Sequence, residues 1–204
     1  MAETCAPSVI LAESSVVRGL SLRANFSWTF VGNSVYSACQ WGALVALAKL
    51  SSPLVVGQYS LGVAIAAPVI SLTGLQIRSV IASDVRETYK FGEYVSFRIL
   101  STVLAMSAIL AIPIVLHSGP LMTLLTFVVG LSLAIENISD VYYARLQYID
   151  RMDRIAISQM IRGPLSLAAM VLGVYFTGRL SYGVVAMVLV RASVLLGYDM
   201  RVET

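Results

Sequence analysis

Residues 95–140 read VSFRILSTVLAMSAILAIPIVLHSGPLMTLLTFVVGLSLAIENISD, and this stretch decides the fold. Two apolar runs, Val95 to Leu116 and Pro120 to Asp140, flank the tight turn His117-Ser118-Gly119. Each run has the roughly 20 residues that an α-helix needs to cross a hydrocarbon core of about 30 Å. The charged side chains Arg98, Glu136 and Asp140 sit toward the outer ends of the two runs. A helix satisfies its backbone polar groups within itself, whereas an open strand in lipid does not, so the hairpin is helical.

The same pattern repeats outward. Phe26 to Leu50 is one candidate span, and Pro53 to about Gln76 is the next, with Ser52 as its cap and Pro53 in the first turn, where a missing N–H is harmless. Ile155 to Thr177 and Leu180 to about Tyr198 complete the set. The predicted fold is all-α: a polytopic membrane bundle of about six transmembrane helices over residues 25–198. Residues 1–24 read as a cytoplasmic tail, with a short interfacial helix over Val9–Leu20, and residues 199–204 as a cytoplasmic end. Composition agrees. The 204 residues are 58% hydrophobic and 12% charged, with a mean hydropathy of +0.83, against about 45–50% and about 25% in soluble domains. That balance excludes a soluble enzyme domain, a disordered chain and a disulfide-knotted module.

The connections alternate between tight (Ser51-Ser52, His117 to Gly119, Gly178-Arg179) and long and charged (Arg78 to Tyr94, Ala144 to Arg154). All Lys and Arg except Lys49, Arg179 and Arg191 fall in or beside the tail, the long connections and the C-terminal end. Basic residues stay on the cytoplasmic side, so both termini are expected there, as an even number of crossings requires. Cys5 and Cys39 are expected at different depths, and neither they nor His117 has a partner at metal-ligand spacing, so no metal and no cofactor are expected. Asp150-Arg151-Met152-Asp153 lacks the further acids that would hold divalent ions over a diphosphate, and reads as a solvated loop. Phosphate-gripping glycine loops, a nucleophile elbow, a metalloprotease helix and nucleic-acid patterns are absent from the sequence, which points away from an enzyme and from nucleic-acid partners.

Polar residues inside the spans are the candidate site. Ser34, Ala38, Gly42 and Ala46 form a small-residue stripe on which a second helix is expected to pack. Thr29, Asn33, Ser37 and Gln40 form a polar stripe, read either as interhelical hydrogen bonding or as the lining of a wet cavity. Arg191 lies mid-span, where a lone charge costs about 2.5–3.5 kcal/mol. It therefore pairs with a buried acid, for which Glu136 is the candidate, or receives an anionic ligand. Arg98 and Arg162 lie about one turn inside their spans and are expected to snorkel to the interface. With Arg78 they would ring the cytoplasmic mouth with positive charge. Glu136 and Asp140 share a helix face, to neutralise arginines or to couple transport to an ion. Pro68, Pro113 and Gly163-Pro164 are candidate kinks.

Three stretches together resemble the polysaccharide flippases of the multidrug/oligosaccharidyl-lipid/polysaccharide exporter superfamily. They are Val56-Gly57-Gln58-Tyr59-Ser60-Leu61 continuing to Pro68, Leu75 and Arg78; Phe91-Gly92-Glu93-Tyr94 followed by Arg98; and Asp140-Val141-Tyr142-Tyr143-Ala144-Arg145-Leu146-Gln147 followed by Met152-Asp153, Ser158 and Arg162-Gly163. The resemblance implies a multi-pass bacterial inner-membrane transporter that moves a lipid-linked oligosaccharide, usually on undecaprenyl diphosphate, to the periplasmic leaflet. It implies two pseudo-symmetric bundles of helices around a cavity, which Arg191, Arg98 and the polar stripe of the first span would help line. This chain has one bundle and no internal repeat. It is expected to be a truncated or split product, the N-terminal half of a longer protein, or a subunit that dimerises, in that order. Alternatives are a drug/cation antiporter of the same superfamily, with Glu136 as coupling acid, and a non-transporting membrane scaffold for polysaccharide assembly.

Overall fold

A computed structural model describes residues 21–74 and 91–202. Arg78, Arg86, Lys90 and the expected interfacial helix Val9–Leu20 lie outside the described residues. Those described form six long helices and no strand. They are α1 Leu22–Leu50, α2 Pro53–Gly74, α3 Phe91–Val115, α4 Pro120–Tyr148, α5 Met152–Thr177 and α6 Leu180–Val194. The last continues through a π-helical turn, Leu195–Asp199, into Met200–Val202.

Local chemistry sets the helix ends. The Ser21 side chain accepts the Ala24 N–H at 3.4 Å and caps α1. Proline occupies the first position of α2 and of α4, where its missing donor removes nothing from the ladder. Gly178 ends α5 in the left-handed region, φ +64°, where a side chain would be strained, and its N–H returns to the Val174 carbonyl. The chain runs helically through Pro68, Pro113 and Pro164. α4 continues two turns beyond the expected end at Asp140, because Val141, Tyr143, Ala144 and Leu146 are all buried. The long connection expected from Ala144 shrinks accordingly to the turn around Asp150, whose φ is +54°.

Five helical segments, α2 to α5 and Leu180–Asp199, have the length and apolar composition of a membrane crossing. α1 has 29 residues, ample length for a crossing, and it carries the polar stripe. The burial pattern is the reverse of a soluble protein: Phe176 is 77% exposed and Leu104 67%, whereas Arg98, Arg162 and Arg191 are at most 3% exposed. Large apolar side chains turned outward around buried charges need lipid as the surrounding solvent.

The helices form two groups. α1, α5 and α6 pack together, as do α2, α3 and α4, and α4 against α6 joins the groups. Close approach relies on missing side chains. A Cβ on Gly32 would lie 2.7 Å from the Ala156 Cα, and one on Gly173 2.7 Å from the Gly183 Cα. The expected stripe on α1 is displaced: Ser34 and Ala38 are exposed, and the face on α5 instead includes Gly32, Tyr36 and Cys39. Gly42 of that stripe does meet α5, since a Cβ there would lie 3.5 Å from Leu167. The physical reason is that α1 presents its backbone, through Gly32, where α5 comes nearest. α1 and α2, although consecutive, touch far less than α1 touches α5 or α2 touches α4, and this leaves a cleft between them.

Candidate functional site

The cleft holds a cavity of about 610 Å³. Gln40 lines it from α1, Ser71 and Gly74 from α2, Arg98 from α3, and Glu136, Asn137 and Asp140 from α4. Four of the residues singled out in the sequence, Gln40, Arg98, Glu136 and Asp140, therefore meet at one place. Arg98 does not snorkel. It is turned inward, and its Nη1 donates to the Gly74 carbonyl at 2.8 Å. A Cβ on Gly74 would lie 3.3 Å from that nitrogen and 3.4 Å from the Asn137 Oδ1, so glycine is what lets the two side chains share the corner. Arg98 Nε and Asn137 Nδ2 are buried donors with no hydrogen-bond partner among the described residues. The Nε atoms of Arg162 and Arg191 are likewise without a partner among the described residues, so what sets the Arg98 and Asn137 donors apart is their place in the cavity wall, where a ligand could meet them.

Beside the cavity, Glu136 joins three helices. Its Oε2 accepts from Arg191 Nη1 of α6 at 2.9 Å. Its Oε1 accepts from the Tyr36 hydroxyl of α1 at 2.5 Å, and Tyr36 in turn accepts from Gln40 Nε2 at 2.7 Å. Arg191 thus has the acid partner named as one of its two readings, and it also reaches the Ser132 carbonyl at 3.4 Å. The Glu136 side chain keeps 27% of its surface exposed, on the cavity side, whereas Arg191 is enclosed behind it.

Arg162 also departs from the expectation of snorkelling. It is 1% exposed and forms an ion pair with Asp199, which is itself buried at the end of the π-helical turn. Arg162 also donates to Ser139 Oγ at 2.7 Å, and its guanidinium lies 5.6 Å from the Tyr143 ring centre. Ser158 donates to Asp199 at 2.5 Å, and the Tyr143 hydroxyl is 2.7 Å from Ser158. Inward-facing partners hold this guanidinium more favourably than the interface would, since a buried charge is tolerated when paired and hydrogen-bonded. The cluster ties α4, α5 and the end of α6 together and does not line the cavity.

Asn33 and Ser37 are placed elsewhere again. With Phe26, Thr29, Phe30 and Ser34 they line a groove of about 400 Å³ on the outer face of α1. The polar stripe is therefore divided, with Gln40 on the cavity and Asn33 and Ser37 outside it. Arg78 lies outside the described residues. At the α4–α5 turn, Arg151 forms a paired hydrogen bond to Asp153 at 3.0 Å, and the two side chains are partly exposed.

Sequence reasoning gave no site role to Tyr36, Ser139, Tyr143, Ser158 or Asp199, although Tyr143 and Ser158 fall within the stretch that carries the resemblance. Helical spacing held a signal for two of them. Ser158 precedes Arg162 by four residues and Tyr36 precedes Gln40 by four, so each shares a helix face with a residue singled out in the sequence. Ser139 and Asp199 carry no such mark, because Arg162 lies 23 and 37 residues from them in the chain.

Among known proteins, the chain is 32% identical over 143 residues to "Capsular polysaccharide biosynthesis protein CapF" of Staphylococcus aureus. The match covers 70% of this chain, and the chain spans 35% of that relative's length. No family model matches the chain, and no solved structure matches it.

Proposed function

We propose that this chain is one lobe of a membrane transporter that moves a lipid-linked oligosaccharide across the bacterial inner membrane for surface polysaccharide synthesis. Membrane-crossing helices together with similarity to a capsular polysaccharide biosynthesis protein fit a membrane role in that process. The observation that carries the finer reading is the polar cavity inside an otherwise apolar bundle, with the orphan donors of Arg98 and Asn137 in its wall. Its volume lies within the roughly 300–1,000 Å³ usual for ligand sites. A guanidinium meets phosphate oxygens with directed charge-assisted hydrogen bonds, and the amides and carboxylates of Gln40, Asn137 and Asp140 suit sugar hydroxyls. The chemistry is binding and release, with no bond made or broken by the protein. Alternating access needs a second lobe, supplied by a longer chain or a second copy, to rock against this one.

The test is Arg98→Ala in the full-length protein. Removing a charged hydrogen-bonding group costs about 1.5–3 kcal/mol, so export should fall roughly ten- to a hundredfold with membrane levels unchanged. Normal surface polysaccharide in that strain would remove Arg98 and the anion-binding reading.

A second reading, a cation or drug antiporter, is favoured by one feature. Among the described residues, Glu136 and Asp140 place two carboxylates on the cavity against one guanidinium, that of Arg98. It predicts dye export that is lost on Glu136→Gln.

A further inference from the structure

Tyr36 stands where the two helix groups meet across the cavity. Gly163 of α5 lets the backbone of α1 come close at this level, since a Cβ there would lie 3.4 Å from the Tyr36 Cα. The phenol then reaches past α5 to Glu136 on α4. Its proton has one direction to go. Gln40 Nε2 carries only hydrogens and donates to the Tyr36 oxygen, so Tyr36 must donate to Glu136 Oε1. Arg191 occupies the other carboxylate oxygen. α1 otherwise rests on α5 and has little contact with α2 or α4. The chain Gln40–Tyr36–Glu136–Arg191 therefore runs from the cavity lining to the enclosed guanidinium, and it crosses the side on which the bundle is least packed.

We infer that Tyr36 is a positioning residue: its hydroxyl turns the Glu136 carboxylate onto Arg191 and pins the α1 wall of the cavity to α4, so that breaking this hydrogen bond lets α1 swing away from α2 and widens the cavity. The geometry stands by itself. The consequence for export rests on the transport reading above, because a cavity wall that moves is useful only if something passes through. Gln40 is the part of the chain that a guest in the cavity meets first, and it hydrogen-bonds directly to the pin.

The experiment uses the full-length protein in liposomes, with spin labels at Val31→Cys on α1 and Leu72→Cys on α2 and its other cysteines changed to serine. Both positions are exposed on this bundle, so the labels lie outside its own packing. Tyr36→Phe, which removes one oxygen atom, should shift the distance distribution between the labels to longer values. Glu136→Gln, which leaves one acceptor for two donors, should give the same shift, and the double variant should add nothing. Gln40→Ala should shift it in the same direction, and by less, which keeps the test available should Tyr36→Phe fail to insert. Distances that overlay the wild type in Tyr36→Phe and Gln40→Ala would overturn the latch, whatever Arg98→Ala does to export. Longer distances combined with normal export in both Tyr36→Phe and Arg98→Ala would keep the latch and overturn the transport reading instead.

Discussion

Buried arginine is the residue-scale theme, and each of the three has a different solution. Arg191 takes a carboxylate and a backbone carbonyl, Arg162 a carboxylate with a serine, and Arg98 a backbone carbonyl alone, while the Nε of each is without a partner among the described residues and that of Arg98 belongs to the cavity wall. Breaking a buried pair leaves the surviving charge uncompensated, at about 3–5 kcal/mol. Asp199→Leu should therefore strand Arg162 and markedly lower the thermal midpoint of the purified protein in detergent. Arg162→Met combined with Asp199→Leu should recover most of that loss, since an apolar pair replaces both charges together. A double variant no better than the single one would mean that Asp199 acts through the π-helical turn and not through the ion pair. The need to bury Arg191 with a partner is readable in the sequence, whereas Arg98 and Arg162 read there as snorkelling to the interface. The Arg191 partner, Glu136, is also readable there, as an acid inside another span, whereas the pairing of Arg162 with Asp199, 37 residues away, is not.

At the scale of elements, helix faces decide where contact occurs. Five of the six helices are apolar on nearly every side, so periodicity distinguishes their faces weakly. On α1, which is the exception, the i, i+4 recurrence of small residues makes Ser34, Ala38, Gly42 and Ala46 read as the packing stripe, while its backbone in fact approaches α5 at Gly32. Two substitutions separate these faces. Gly32→Val places methyl groups against Ala156 and should destabilise by the ~1–3 kcal/mol typical of overpacking, seen as a lower thermal midpoint. Ala38→Val, on an exposed position of the same helix, should leave the midpoint unchanged. Equal effects from the two would show that the exposed face of α1 is covered in the assembled protein. The length of α4 was hidden for a related reason. Asp140 and Arg145 look like the start of a loop, and burial of Tyr143 and Leu146 beside Ile155 carries the helix on.

The whole molecule is a pair of three-helix groups joined through α4 and α6, with the cavity in the cleft between α1 and α2. Its orientation follows from the placement of Lys and Arg, which predicts the turns at Ser51 and His117 on the outer side and the turn at Asp150 on the cytoplasmic side. Single cysteines at these positions, labelled in intact cells with an impermeant maleimide, test this directly. Ser51→Cys and His117→Cys should react from outside, and Asp150→Cys only after lysis. The reverse pattern would turn the cavity toward the opposite compartment. Since the chain spans 35% of its capsular relative, the same labelling is best done in the full-length protein.

Sequence alone determined that this chain is an all-helical bundle with its large apolar side chains facing lipid, and it marked Gln40, Arg98, Glu136 and Asp140 as unusual. Those features follow from transfer free energies and helix length, which are properties of each segment by itself. Only the tertiary structure decided that these four side chains share one cavity, that Asn33 and Ser37 lie outside it, and that Arg162 is enclosed with Asp199. It also decided that Tyr36 bridges to Glu136. Such pairings depend on the rotation of each helix about its axis. In a bundle that is greasy all round, that rotation is set by where backbones approach and where buried charges find partners, and both are relations between distant segments.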